Sequence, residues 1–172
     1  RGAPSRGKFT PPLDPGDPPV IRGRVCSHKT KKPLANTVLD VWQADIKGRY
    51  DFQDSPATDA RPLVGGKQPK RTDFKNRIRL LTDEAGYYEY ETIKPASYQA
   101  GSQIRPSHIH YMAQAGGHQR LITQIYFKGD KHIAQDPWAS KSPLIINLQK
   151  EKCAKGTYLA GHFDLVLAPV GA

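Results

Sequence analysis

Short runs of alternating apolar and polar residues recur along this chain. The clearest is residues 37–43 (TVLDVWQ), where Leu39 and Val41 fall on one face and Asp40 and Trp42 on the other. Alternation with a period of two is typical of a half-buried β-strand, because successive side chains of a strand point to opposite faces. The pattern therefore predicts a sheet protein with one face of each strand in a core.

The same kind of pattern predicts eight strands. They cover residues 20–26, 37–43, 77–82, 87–92, 107–114, 120–127, 144–148 and 158–167. Turn residues at 83–86 and the pair Gly116-Gly117 predict one hairpin each, while residues 95–105 are predicted to be irregular. No long amphipathic helix is apparent. We therefore expect a mainly β fold, an antiparallel β-sandwich of about eight strands with long functional loops and little helix.

A length of 172 residues suits one domain. Residues 1–19 are rich in Pro and Gly and are predicted to form an extended N-terminal arm, followed by a single domain over 20–172. Residues 51–72 form a long segment rich in Pro, Gly, Asp and Lys, and loops of that length are usually functional. We expect the arm and this loop to flank the mouth of a pocket.

The formal net charge is +10. This charge indicates either a solvated basic face or attraction to anions such as acidic small molecules and polyphenol-bearing polymers. The basic residues are spread along the chain without a nucleic-acid-binding motif, so we predict no nucleic-acid partner. No apolar run approaches the length of a membrane span, so we predict no membrane partner.

Two cysteines are present, Cys26 and Cys153. In a secreted protein we expect them to form one disulfide, whereas in a cytosolic protein they would be two free thiols. The chain begins at Arg1 rather than Met. We therefore expect that an N-terminal segment such as a signal peptide is missing. An extracellular location is our prediction, with a cytoplasmic one as the alternative.

The pair His108 and His110 is the most informative local pattern, because residues i and i+2 of a strand project from the same face and can hold one metal ion. A cupin-type site would add a carboxylate soon after, but residues 111–114 are YMAQ. The other histidines follow no zinc-site spacing, and two distant cysteines are too few for a structural zinc site.

Tyrosine offers a further kind of ligand. Tyr50 and Tyr98 lie in irregular segments, whereas Tyr88 and Tyr126 lie in predicted strands and are expected to pack. A trivalent iron can deprotonate a phenol, and its hard positive charge suits phenolate oxygen together with imidazole nitrogen. The residues alone leave the metal and its ligand set open.

Four segments of the chain, in this order, resemble the intradiol ring-cleavage dioxygenases, which include catechol 1,2- and protocatechuate 3,4-dioxygenases. They are KPLANTVLDVWQADIKGRYD (32–51), RIRLLTDEAGYYEYETIKPASY (77–98), RPSHIH (105–110) and LITQIYFKGD (121–130). The resemblance covers roughly residues 20–167 and is closest to the compact, often secreted branch of the family.

The resemblance implies a non-haem Fe(III) cofactor and a β-sandwich core. Four residues fall on the family's iron ligands: Tyr50, Tyr98, His108 and His110. Tyr98 falls on the ligand that substrate displaces, Arg105 on the active-site arginine and Gln124 on the glutamine that faces the substrate. The implied reaction is cleavage of a catechol or polyphenol ring with O2 to a muconate-type diacid.

Some positions depart from the family pattern. Gln99 stands where Pro is frequent and Ser107 where Ala is usual, and the helical dimerisation region of catechol 1,2-dioxygenases is absent from this sequence. These departures leave the substrate open, and we predict a monomer. One alternative is a catalytically inactive β-sandwich module that binds carbohydrate or protein. Another is a zinc hydrolase using the histidine pair, which lacks a third conventional ligand and an evident general base.

Overall fold

The computed structural model describes residues 3–8, 18–50 and 76–171. These residues form thirteen strands and two short 3-10 helices, Ile133–Gln135 and Ala139–Lys141. The strands are β1 (Arg6–Lys8), β2 (Val20–Ser27), β3 (Val38–Gln43), β4 (Arg77–Leu81), β5 (Tyr87–Glu91), β6 (Tyr98–Ala100), β7 (Gln103–Arg105), β8 (His108–Gln114), β9 (Leu121–Phe127), β10 (Ile145–Ile146), β11 (Gln149–Cys153), β12 (Gly156–His162) and β13 (Leu165–Leu167). The mainly β prediction is confirmed.

Two large sheets make up the sandwich. One has the strand order β1-β5-β2-β12-β11, with β13 also pairing with β2, and the other has the order β10-β9-β8-β3-β4. A separate pair, β6 and β7, lies outside both sheets. Most pairings are antiparallel as expected, but β1 with β5, β10 with β9, and both β12 and β13 with β2 are parallel.

The core lies between the two large sheets. Alternation places Leu39 and Val41 of β3 in it, as predicted, together with three tyrosines from facing strands: Tyr88, Tyr90 and Tyr111. The Tyr88 hydroxyl donates to the Phe163 carbonyl at 2.5 Å, and the hydroxyls of Tyr90 and Tyr111 are hydrogen-bonded to each other. The buried phenols therefore have hydrogen-bond partners, as a core requires of its polar groups. The prediction that Tyr88 packs is confirmed.

The two predicted hairpins have different outcomes. Strands β8 and β9 form the expected antiparallel hairpin around Gly117, which has a φ of +70°. The predicted hairpin across residues 83–86 is wrong, because β4 pairs with β3 whereas β5 pairs with β2 and β1. Leu80 and Tyr88 both enter the core, but from opposite sheets, so the turn crosses from one layer of the sandwich to the other.

Four short strands lie where none was predicted. The supposedly irregular segment 95–105 contains the β6–β7 hairpin. The segment QKEKC forms β11 at the edge of its sheet, where no buried face imposes apolar alternation. Within the N-terminal arm, β1 pairs with β5. The division of the chain at residue 20 stays a prediction.

The predicted disulfide is wrong: Cys26 and Cys153 are both free thiols. Ala160 of β12 lies opposite Val20 of β2. Cys153 lies opposite Gly156, four residues before Ala160, whereas Cys26 lies six residues after Val20. Because β12 and β2 run parallel, the two cysteines are about ten residues apart along the strands. At about 3.3 Å per residue the two cysteines are roughly 30 Å apart along the strands, while a disulfide needs Cα atoms within about 7 Å.

Two further predictions concern the segments outside the sheets and a possible membrane span. The long loop predicted over 51–72 lies outside the described residues, as does most of the N-terminal arm. Among the described residues, no helix has the length and apolar character needed to cross a membrane.

Candidate metal centre and adjoining pocket

The two histidines of β8 project together from the outer face of the five-stranded sheet. Their Nε2 atoms are 3.2 Å apart. The Nδ1 atom of His108 lies 2.6 Å from the Pro106 carbonyl. A carbonyl at that position favours a proton on Nδ1 and leaves the Nε2 lone pair free for a ligand bond. The Trp42 ring stacks on His110 at 5.0 Å between centroids, which orients the second imidazole.

Tyr50 reaches the histidine pair from a tight turn after β3. Its Oη atom lies 3.3 Å from His108 Nε2 and 3.1 Å from His110 Nε2. The turn is held by the Asp45 carboxylate, whose Oδ1 accepts the backbone N–H groups of Lys47 at 2.7 Å and Arg49 at 2.9 Å. An aspartate that accepts hydrogen bonds from the backbone of its own turn is a common way of fixing such geometry.

Gly48 allows the Tyr50 turn to lie against the segment that carries Tyr98. Its φ is +76°, and a Cβ at this position would lie 2.7 Å from the Tyr98 Cβ. Glycine meets both requirements because it has no side chain and tolerates positive φ. As a result, the Tyr98 ring packs edge-on to Tyr50 with 5.6 Å between centroids, and it lies equally close to His108.

The arrangement fits a metal ion held by two phenols and two imidazoles. Three of the donor atoms are 3.1–3.3 Å from one another. Ligand bonds of about 2.0–2.1 Å place neighbouring donors about 3 Å apart. No group of three or more His, Cys, Asp or Glu among the described residues is placed to hold a metal. A metal at this site would therefore take tyrosine oxygen as well as histidine nitrogen, a combination suited to iron.

Burial changes the proton affinities of these donors. It raises the pKa of Tyr50 far above its usual range, and the neighbouring Tyr98 adds to the rise. Burial lowers the pKa of His108, and burial together with His108 and Arg105 lowers the pKa of His110 to about 3. Both imidazoles are therefore neutral at pH 7 and able to bind a metal, whereas the Tyr50 phenol must release a proton to do so.

Arg105 is held beside the centre by three side chains. Its Nε donates to Asp136 Oδ2 at 2.6 Å and its Nη2 to Gln124 Oε1 at 3.4 Å, while the guanidinium lies 4.5 Å from the Trp138 ring centroid. The β6–β7 hairpin pairs Arg105 with Tyr98, and the β8–β9 register pairs Gln124 with His110. A fixed positive charge thus lies next to the candidate ligands.

Asp136 remains ionised in this setting. Burial by itself would raise its pKa, but hydrogen bonds from the Ala139 N–H, the Arg105 guanidinium and the Trp138 N–H together hold the pKa below its usual value. The carboxylate accepts the two backbone groups at 2.7 and 3.0 Å through Oδ1. Asp136 therefore pairs with the Nε side of Arg105 and fixes the direction of the guanidinium.

A pocket of about 400 Å³ adjoins the centre. Its lining combines polar, aromatic and aliphatic side chains: Arg105, His110, Ile122, Thr123, Gln124, Tyr126, Trp138, Ser142 and Leu144. Pockets with apolar walls and a few converging polar groups are typical of small-molecule sites. The volume is ample for a single aromatic ring.

The structure brings all six sequence-predicted site residues to one place, and their chemical roles stay predictions. The two cysteines lie elsewhere. Sequence reasoning missed Asp136 and Trp138, because neither lies in the segments that carry the resemblance. Tyr126 was expected to pack. Its ring does pack against His108, at 6.0 Å between centroids, but the residue also lines the pocket.

Known proteins similar to this chain share one family. A family model described as Dioxygenase matches residues 6–169. The protocatechuate 3,4-dioxygenase beta chain of Burkholderia cepacia is 34% identical over 88% of this chain and 65% of its own length. Catechol 1,2-dioxygenase 2 of Acinetobacter lwoffii is 30% identical over 86% of this chain and 54% of its own length. The chain thus spans between about half and two thirds of these two relatives.

Solved structures show the same relationship. The dioxygenase domain of a dioxygenase carbohydrate-binding protein fusion from Streptomyces sp. SirexAA-E is 30% identical, with a TM-score of 0.68, and the match covers 98% of this chain and 90% of that one. The family model match over most of the chain, these similarities and the shared β-sandwich establish that the chain belongs to the intradiol ring-cleavage dioxygenase family.

Proposed function

We propose that this chain cleaves catechol-type rings between their two hydroxylated carbons, using O2 and a non-haem Fe(III), and releases muconate-type diacids. The observation that carries the proposal is the convergence of Tyr50 Oη, His108 Nε2 and His110 Nε2 within 3.1–3.3 Å of one another. Tyr98 lies against them, and the pocket opens beside them.

Four side chains would hold the iron: Tyr50, Tyr98, His108 and His110. Phenolate oxygens are hard, charged donors that favour the trivalent state, and the neutral imidazoles complete the set. When bound, the iron would supply a Lewis acid that binds the catechol oxygens and makes the ring reactive toward O2.

Tyr98 has the position for a proton acceptor. It starts β6 at the surface of the sandwich and is only partly buried, in contrast to Tyr50. Its phenolate oxygen would take up a proton from a catechol hydroxyl. Tyr50, which is packed inside the cluster, would stay in place as a permanent ligand.

Arg105 and Gln124 would act on the substrate ring. The ring becomes electron-rich when its hydroxyls lose their protons, and a guanidinium beside it would stabilise that charge. A preorganised charge of this kind is often the largest contribution to catalysis. Asp136 and Trp138 would keep the guanidinium aimed at the pocket, and the Gln124 side chain would orient the substrate.

The relatives bear the names of protocatechuate, catechol, chlorocatechol and 6-chlorohydroxyquinol dioxygenases. The proposed substrates are therefore catechols and related polyphenols.

Two further predictions concern the oligomeric state and the location of the protein. A monomer is expected on size-exclusion chromatography with light scattering, and an extracellular location is expected on fractionation of the source cells.

The decisive experiment is a visible absorption spectrum of the purified, iron-supplied protein before and after anaerobic addition of catechol. Tyrosinate bound to Fe(III) is expected to give a broad charge-transfer band that shifts when catechol binds. Tyr50→Phe should remove most of the band and the bound iron. The matched control is Tyr158→Phe, whose hydroxyl contacts Glu151 on the other sheet, and it should keep both. A wild-type protein that stays colourless with iron would exclude the enzyme and favour the inactive binding module.

A further inference from the structure

Tyr126 is a buried tyrosine whose hydroxyl makes no well-formed hydrogen bond within the described residues. The residue is 1% exposed, and its Oη is one of two buried side-chain polar atoms in the described part of the chain without a hydrogen bond. Such atoms are rare in folded proteins, because an unpaired buried hydroxyl costs stability. The core phenol of Tyr88, by contrast, donates to a backbone carbonyl.

Tyr126 belongs to the wall of the pocket beside the metal centre. Tyr126 lies directly opposite His108 in the β8–β9 ladder, two residues after Gln124, so both β9 side chains emerge on the face that carries the histidines. Tyr126, Gln124 and Arg105 all line the pocket. The charge of Arg105 and the approach of the Arg105 and Gln124 donor groups to the hydroxyl oxygen lower the pKa of Tyr126 against the larger rise caused by burial, although neither contact has the geometry of a well-formed hydrogen bond.

The hydrogen bonds that do exist leave donors directed to the pocket. Gln124 uses its side-chain oxygen to accept from Arg105 Nη2, so its amide NH2 group remains to donate. Asp136 takes the Nε edge of Arg105. The wall therefore combines a guanidinium and an amide NH2 with a phenol that makes no well-formed hydrogen bond within the described part of the chain.

We propose that Tyr126 is a third hydrogen-bond donor, with Arg105 and Gln124, for an anionic oxygen of the bound catechol. The assignment rests on the proposed function, because the ligand is the ring substrate of that reaction. It makes Tyr126 a binding residue rather than a packing residue. It also gives the buried hydroxyl an acceptor.

This assignment predicts opposite effects of one substitution on ligand binding and on stability. Tyr126→Phe keeps the ring that packs on His108 and removes only the hydroxyl. The ligand-free protein should be as stable as wild type or more stable, because an unpaired buried group is lost. Catechol binding should weaken about tenfold, as expected for loss of a hydrogen bond to a charged acceptor. Residues that serve a ligand commonly reduce the stability of the free protein.

The test is an anaerobic titration of the iron-loaded protein with 4-nitrocatechol, followed by its visible spectrum, and a thermal melt of each variant without ligand. Tyr158→Phe is the control for binding and should match wild type. Tyr88→Phe is the control for stability and should melt at a lower temperature, because it loses its hydrogen bond to the Phe163 carbonyl.

Tenfold weaker binding by Tyr126→Phe, with a melting temperature equal to or above that of wild type, is the expected result. A dissociation constant within twofold of wild type overturns the assignment, whatever the melting temperature. A melting temperature lowered as far as that of Tyr88→Phe also overturns it, because the hydroxyl would then be structural. A wild-type protein that gives no spectral response to 4-nitrocatechol defeats the proposed function itself, and the assignment with it.

Discussion

The buried ion pair between Arg105 and Asp136 leads to a quantitative prediction. The two side chains are 14% and 0% exposed, and their atoms Nε and Oδ2 are 2.6 Å apart. Asp136→Asn keeps an oxygen for the N–H groups of Trp138 and Ala139 but removes the negative charge. It also turns an NH2 group toward the Arg105 N–H, so that two donors face each other.

The size of the effect follows from burial. Removing one partner of a buried pair costs about 3–5 kcal/mol, because the other charge is left uncompensated. Arg105 retains Gln124 and the Trp138 ring as neighbours, so we expect a cost just below this range, about 2–3 kcal/mol. For a domain of this size the melting temperature should fall by roughly 5–10 °C. Because Arg105 would lose its fixed direction, kcat should fall as well.

The same substitution should change how the free energy of unfolding depends on pH in the acid range. The pKa of Asp136 is lower in the folded protein than its unfolded value of about 3.9, so its stabilisation is complete above that pH and is lost as the pH falls through the folded pKa. Below about pH 4, wild type should therefore approach the Asn variant in stability. Urea unfolding at several pH values measures this difference.

Asp45→Asn is a matched control for stability. The Asp45 carboxylate also accepts two backbone N–H groups and pairs with an arginine, but that arginine, Arg49, is 52% exposed. Exposed pairs contribute at most about 1 kcal/mol. If Asp136→Asn is no more destabilising than Asp45→Asn, the reasoning about the buried pair is wrong.

Three further predictions concern other parts of the molecule. Gly48→Ala should lower the free energy of unfolding in urea by roughly 2–4 kcal/mol and reduce the amount of bound iron, because the new Cβ would collide with Tyr98. The control is Gly117→Ala, which has a similar φ but open space around it and should lower the free energy of unfolding by only about 1 kcal/mol. Native-state thiol labelling followed by mass spectrometry should modify the exposed Cys153 without prior reduction, and a need for reductant would contradict the free-thiol structure. The metal-free protein should lose stability as the pH falls from about 6.5 toward 3, because the pKa of His110 is lowered to about 3 in the folded protein and the unfolded state therefore binds the proton first. His110→Gln should flatten this pH dependence of the free energy of unfolding. An unchanged slope in the variant would refute the prediction.

Most residues of the candidate site could be predicted from the sequence, because they lie in short segments with a recognisable pattern. An i, i+2 histidine pair on a strand shares one face whatever the rest of the fold does, and the tyrosines lie in segments that carry the family resemblance. Asp136 has no such signal. Its role depends on Arg105 being within 2.6 Å, and the two residues are 31 positions apart.

Several features could not be derived because they depend on which strands meet. The turn at 83–86 reads as a hairpin, but only the stacking of the sheets decides that β4 and β5 go to different layers. Likewise, two cysteines near strands suggest a disulfide, and only the register shows that they are far apart. Loop 51–72, predicted to be functional, lies outside the described residues.

The sequence by itself determined the β class, most of the strands, and the two tyrosines, two histidines, arginine and glutamine of the candidate site. Period-two alternation indicates the strands, and the resemblance of four segments to the family indicates the site residues. The tertiary structure alone decided that the donor atoms converge, that Asp136 and Trp138 hold Arg105, and that Tyr126 lines the pocket while its buried hydroxyl makes no well-formed hydrogen bond in the described part of the chain. Those properties are distances between residues far apart in the chain, and they arise only when the sheets pack and the strand registers are set.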